Sequence, residues 1–166
     1  EGPIITNKVS YLVGIRSTYS DWLFRYINDP QLKESSAYFG DAVINFSMKL
    51  NPSNELRLFT YYSYDYADIA SLTSNRYQNL GGSLTWNHMM KEKHLLAVTF
   101  ASGKYSFLDE NMEYDLYAYK QSYDLSHNEL KAEVILRPVK QHAISIGINS
   151  ILYQTEPGDV LPLDEN

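Results

Sequence analysis

The sequence predicts an all-β fold, an antiparallel up-and-down meander of about seven long strands forming an arc of a transmembrane β-barrel. Three observations carry this expectation. Apolar and polar residues alternate with a period of two, the signature of a pleated strand with two unlike faces. The alternating runs reach roughly ten residues or more, long for a globular strand but normal for one that crosses a bilayer. Short turns join the runs at one set of ends, and longer polar segments join them at the other.

The clearest unit lies around the turn Asn51–Asn54. Before it, Tyr38, Ala42, Ile44, Phe46, Met48 and Leu50 share one face, against Asp41, Asn45, Ser47 and Lys49. After it, Leu56, Leu58, Thr60, Tyr62, Tyr64 and Tyr66 alternate with Glu55, Arg57, Phe59, Tyr61, Ser63 and Asp65. Upstream, residues 1–7 read as an entry segment, and residues 8–25 alternate through Val9, Tyr11, Val13 and Ile15. Trp22, Phe24 and Tyr26 then follow a parity change near Ser20. Residues 27–35 read as a polar loop broken by Asp29-Pro30.

Beyond the hairpin, residues 67–77 are expected to be a second polar loop. Leu80, Gly82, Leu84, Trp86 and His88 then share a face, and a short turn at 90–93 leads into residues 94–107. There Leu96, Val98 and Phe100 share a face, while Tyr105 and Phe107 have the opposite parity, so Gly103 is expected to be a bulge. Residues 108–113 read as an acidic loop and 114–137 as a very long strand. Leu130, Ala132, Val134 and Leu136 in it oppose Glu129, Lys131 and Glu133. The turn at 137–141 leads to His142, Ile144, Ile146, Ile148 and Leu152, and 155–166 is a terminal loop. Helix is weakly supported; Asp65–Leu72 and Met112–Lys120 offer a turn or two at most.

Composition narrows the function. Tyrosine accounts for 15 of 166 residues, and this amphipathic ring suits sheets and membrane interfaces. No apolar run reaches the roughly 18 residues of a spanning helix, which leaves strand crossings open. The net charge of −6 and the lack of a basic patch argue against nucleic acid. Without cysteine there is no disulfide frame or thiolate metal site. The chain opens Glu-Gly-Pro, with no start Met or signal-like region, so a signal is expected to have been removed or the chain to be a piece of something longer.

The short turns recur at about 40 and then about 46 residues, a propeller-like spacing, but blade signatures are missing. A soluble lipocalin-type barrel would turn its aliphatic face inward, and the residues alone do not say which face is inside. Strand length and loop asymmetry favour the membrane. On that reading Leu56, Leu58, Leu84, Trp86, Leu96, Val98, Leu130, Val134, Ile144, Ile146 and Ile148 face lipid. Tyr62, Tyr64, Tyr66, Trp22 and Tyr105 are candidates for the outer aromatic girdle or for strand extensions above it.

The stretch GPIITNKVSYLVGIRSTYSDWLFR, Gly2 to Arg25, resembles TonB-dependent outer-membrane receptors where early barrel strands follow the plug. In that family a Gly-Pro-Ile segment precedes a strand reading roughly K-x-S-[FY]-x-[VL]-G-x-R. NLGGSLTWNH, Asn79 to His88, and INSILYQ, Ile148 to Gln154, are similar to strands of the same receptors. The resemblance implies the cell outer membrane of a Gram-negative bacterium. It also implies a larger barrel of about 22 strands, of which this chain is a fragment, with plug and remaining strands absent. The implied function is import of a scarce or large nutrient: a metal chelate, a vitamin or a glycan. The implied partners are outer-membrane lipid, the rest of the barrel and plug, TonB acting through that plug, and a surface lipoprotein. Segments 27–35, 67–77, 108–113 and 155–166 are where substrate or lipoprotein would touch. The alternatives are a small complete outer-membrane barrel, serving as adhesin or passive channel, and a soluble ligand-binding β-barrel.

No enzymatic chemistry and no cofactor is expected, and single ligand-binding residues are not assigned. His88, His94, His127 and His142 are too scattered for a local metal motif. Asp109, Glu110, Glu113 and Asp115 lack the spacing of a calcium loop. Ser17, Ser20 and Asp21 have no histidine near them, and the motifs G-x-S-x-G and H-E-x-x-H do not occur. The sequon Asn45-Phe46-Ser47 lies within an expected strand, and the tetrapeptide Leu108–Asn111 recurs at Leu163–Asn166. Lys131 between Glu129 and Glu133 reads as a charge ladder on the polar face.

Overall fold

Alternation over most of the chain leaves one economical structure, a single antiparallel sheet. A computed structural model describes residues 1–30, 32–70, 72–91, 93–112, 118–139 and 141–163. Its strands are β1 (Gly2–Ile5), β2 (Val9–Tyr19), β3 (Ser36–Asn51), β4 (Asn54–Ile69), β5 (Thr73–Met90), β6 (His94–Asn111), β7 (Tyr119–Val139), β8 (His142–Glu156) and β9 (Val160–Pro162). The nine form one sheet in the order β1 to β8, with β9 paired to β7. Every pairing is antiparallel and the sheet is not closed. The seven long strands expected from the sequence are β2 to β8. The two short ones come from the stretches read as entry segment and terminal loop.

The register aligns the aliphatic stripes. One row crosses the sheet through Tyr11, Phe46, Leu58, Leu84, Phe100 and Leu130, and the next through Met48, Leu56, Trp86, Val98, Ala132 and Ile148. A polar row, Ser47, Arg57, Thr85, Thr99, Lys131 and Asn149, runs between them on the other face. On β5 and β6, nearly all the exposed side chains, including Leu84, Trp86 and Phe100, project from the aliphatic side. A sheet curled toward its polar face gives this one-sided exposure, because side chains on the outside of a bend splay apart.

Five expectations change. Segment 67–77 is mostly strand: β4 runs to Ile69, β5 starts at Thr73, and the link is tight, with Ala70 at φ 55° and Leu72 N–H bonded to the Ile69 carbonyl at 3.0 Å. Likewise β6 continues to Asn111, and residues 113–117 of the expected loop and strand lie outside the described residues. Much of the extra length at this end is therefore paired strand. Gly103 is no bulge: it faces Gly81 and His127 in unbroken registers. Tyr105 accordingly lies on the polar face, opposite Tyr62, Tyr64 and Tyr66, and not with them as expected. Trp22 leaves the sheet altogether, in a one-turn helix α1 (Asp21–Phe24), and packs edge-on to Tyr26 at 6.5 Å.

The short turns lie where the sequence puts them. At the first, the Asn51 side-chain oxygen accepts the Ser53 N–H at 3.0 Å and the Asn54 amide at 2.8 Å, a local closure typical of Asx turns. Asn54 also reaches β5, where its Oδ1 accepts the Trp86 indole N–H at 3.0 Å and lies 2.9 Å from His88 Nδ1. Asn54→Ala is expected to cost about 1–2 kcal/mol through these lost bonds. Urea unfolding followed by Trp86 fluorescence checks this, and an unchanged midpoint counts against it. Pro138 sits where the β7–β8 register slips between Leu136 and Val139, the kind of place a strand tolerates proline.

Candidate functional face

An open sheet has two faces on which function can be built, and here they differ in chemistry and along their length. The lower aliphatic side, nearest the short turns, is a continuous apolar band. Leu84, Phe100, Leu130, Ile144, Ile146 and Ile148 are all exposed in it, Ile148 to 76%. Of the lipid-facing candidates, Leu56, Leu96, Val98 and Val134 lie in the same rows, half-buried by their neighbours. The band ends at the row Thr60, Gly82, Ser102 and Asn128. Above it the side divides. Tyr38, Tyr62, Tyr64 and Tyr66 cluster on β3 and β4, with Arg76 over the Tyr66 ring at 5.9 Å. The Tyr38 ring lies across Gly40, where a side chain would crowd its hydroxyl at 2.8 Å. On β6 and β7 the same height carries the ion pairs Lys104–Asp124 at 2.8 Å and Lys120–Glu110 at 2.9 Å.

The lower polar side carries paired charges. Glu55 accepts the Ser47 hydroxyl at 2.8 Å and meets Arg57 at 3.0 Å. Glu133 meets Lys131 at 3.2 Å and accepts the Ser145 hydroxyl. Thr85 and Thr99 share a hydrogen bond at 3.0 Å. Half-exposed pairs of this kind contribute little stability; they keep the face wettable. The expected ladder at Lys131 is thus resolved, with Glu133 as its partner, while Glu129 lies 3.3 Å from His127.

The upper polar side is aromatic. One row crosses five strands through Phe39, Asp65, Tyr77, Phe107 and Tyr123. Tyr77 and Phe107 lie 5.0 Å apart at 31°, and Tyr105 approaches Tyr123 edge-on at 6.3 Å. Amides flank the row: Asn79 donates to Ser63 at 3.0 Å on one side, and Asn75 and Gln121 lie in the row on the other. At the top, the Tyr119 hydroxyl donates to Asp109 at 3.1 Å. That bond and the nearby negative charge hold the Tyr119 phenol above the ordinary tyrosine range.

The chain matches no protein-family model, no curated protein and no solved structure.

The four histidines stay apart, and no group of metal-binding side chains occurs among the described residues. His88 stacks on Trp86 at 5.7 Å, and His94 Nδ1 accepts the Arg137 N–H at 3.0 Å. Asp109 and Glu110 are consecutive strand residues on opposite faces, while Glu113 and Asp115 lie outside the described residues. Ser20 starts α1, and its hydroxyl donates to the Ala37 carbonyl at 2.7 Å. Asn45-Phe46-Ser47 is inside β3. Reading residues 67–77 as a loop hid the aromatic row, because it placed Tyr77 off the sheet. The signal was present in the shared parity of Tyr105 and Phe107 and in that of Tyr77 and Asn79.

Proposed function

We propose that the chain is part of the barrel wall of a TonB-dependent outer-membrane transporter that imports a scarce or large nutrient. One observation carries the reading. Among the described residues no hydrophobic side chain is buried, although the aliphatic band is continuous across the sheet. A sheet in water would cover such a band with a second layer; a lipid bilayer covers it without one. The open edges, formed by β1 and β2 on one side and by β8 and β9 on the other, support a segment of a larger wall over a small closed barrel. Strand length agrees: β3 to β7 run for 16 to 21 residues, where about 9–11 cross a bilayer. The surplus would stand above the membrane as an outer wall. The paired charges of the lower polar side suit a wet surface against a plug.

The test is the solvent the chain needs. The isolated chain is expected to gain strand structure only in detergent or lipid, with the band residues Leu56, Leu58 and Leu84 protected from protease there. Cooperative two-state unfolding of a soluble monomer without detergent sinks the reading.

A further inference from the structure

We propose that the upper polar face is a binding wall for a neutral, hydroxyl-rich ligand, an extended oligosaccharide rather than an anionic metal chelate. This deepens the transporter reading and rests on it. Shape points to such a ligand. Phe39, Tyr77, Phe107 and Tyr123 occupy one row over β3 to β7, and strands spaced by about 4.8 Å make that row roughly 19 Å long. Tyr77 and Phe107, at 5.0 Å and 31°, stack against one another across the two strands. Such a stack presents ring edges and its outer ring face, against which the C–H face of a pyranose can pack. A flat heteroaromatic ligand gains most from a slot that encloses both its faces.

Hydrogen-bonding groups flank the rings. The rows on either side place Asn75, Asn79 and Gln121 two residues along the strands from the rings, about 7 Å away, and Asp65 lies in the row itself. Amides both donate to and accept from sugar hydroxyls, and carboxylates accept from them.

Charge points the same way. On this part of the face the described acids are Asp41, Asp65, Asp109 and Glu129, against Arg16 and His127. Arg16 is committed to Asp41 at 2.6 Å and lies over the Phe39 ring at 5.4 Å. His127 faces Glu129. An anionic chelate would meet a net negative wall on which the Arg16 guanidinium is already engaged. A neutral saccharide pays no such penalty.

The experiment titrates the full chain, folded in lauryldimethylamine oxide micelles to avoid sugar headgroups, with maltoheptaose, cellohexaose, laminarihexaose and ferric citrate. At least one saccharide is expected to bind, and ferric citrate is not. The double substitution Tyr77→Ala and Phe107→Ala is expected to weaken saccharide binding at least tenfold. Tyr77→Phe, which keeps the ring, and Leu84→Ala, on the opposite face, are expected to stay within threefold. Circular dichroism verifies strand content in each variant. Silence toward all three saccharides overturns the proposal, as does tighter binding of ferric citrate or indifference to loss of both rings. A chain that needs detergent but ignores every saccharide keeps the membrane wall and loses this site. A chain that folds in plain buffer and binds through Tyr77 and Phe107 keeps the site and loses the membrane.

Discussion

Leu84→Arg is expected to destabilise the chain in lipid vesicles by about 2–4 kcal/mol, the cost of a cation near the middle of a bilayer. Leu84 is the centre of the aliphatic band. Its register neighbours are Leu58 and Phe100, and the row continues to Phe46 and Leu130. In the absence of lipid the same residue is 48% exposed, and replacing it with arginine would then fall within about 0.5 kcal/mol, like other surface changes. The two environments therefore predict effects well separated in size. Depth supplies the control. Leu80 lies on the same face two rows higher, beside Tyr62 and Lys104. Leu80→Arg should cost only about 0–1 kcal/mol if that row marks the interface. Urea unfolding from vesicles, read by tryptophan fluorescence, measures both. Equal and small effects at the two positions would remove the lipid assignment.

Gly158→Ala is expected to detach β9 from β7 without unfolding the rest. The edge strand is β8 continued by β9, with a break at Pro157-Gly158-Asp159. Glu156 pairs with Asp124 and Val160 with Gln121, so the edge strand carries one residue more than β7 between these points, which defines a bulge. Gly158 makes it possible at φ +66°, a backbone setting that costs other residues about 1–2 kcal/mol. A Cβ there would lie 2.0 Å from the Ser122 carbonyl oxygen, so backbone must move. Amide exchange at Leu161, paired with Lys120, is expected to rise to loop values, while exchange at Gln154 and Glu156 stays slow. Unchanged protection at Leu161 would show that the bulge tolerates a side chain. The consequence reaches function, because Tyr119 at the head of β7 pairs with Pro162, and Tyr123 of the aromatic row lies four residues further along.

The strands and their two faces were legible because parity is a local property. Ile144, Ile146 and Ile148 declare a face whatever lies beside them, and so do Leu56 and Leu58. Their identity with the observed rows follows from the period of the pleat alone. The turn at Asn51–Asn54 was equally legible, since Asn, Pro and Ser close a turn through their own side chains. Strand ends were not. Segment 67–77 mixes Ile69, Leu72, Thr73 and Tyr77 with Asp, Ala, Ser, Asn and Arg, residues at home in loops and in solvated strands alike. What makes it strand is the pairing of Asp68 with Ser74 and of Asn75 with Asp109. The change of character at Gly103 misled for a related reason. A bulge and a reversal of face chemistry leave the same mark on a sequence, and only unbroken pairing with Gly81 and His127 separates them.

By itself, then, the sequence determined that this chain is an antiparallel meander with one aliphatic and one polar face. Hydrophobic alternation and turn chemistry act over a few residues, so they are written in the order of the chain. Tertiary structure alone decided the register, and with it the aromatic row of Phe39, Tyr77, Phe107 and Tyr123. Those four residues lie on four different strands, far apart in sequence. They meet because every intervening turn sets the next strand's offset, and such offsets sum across the sheet into a surface that no local window contains.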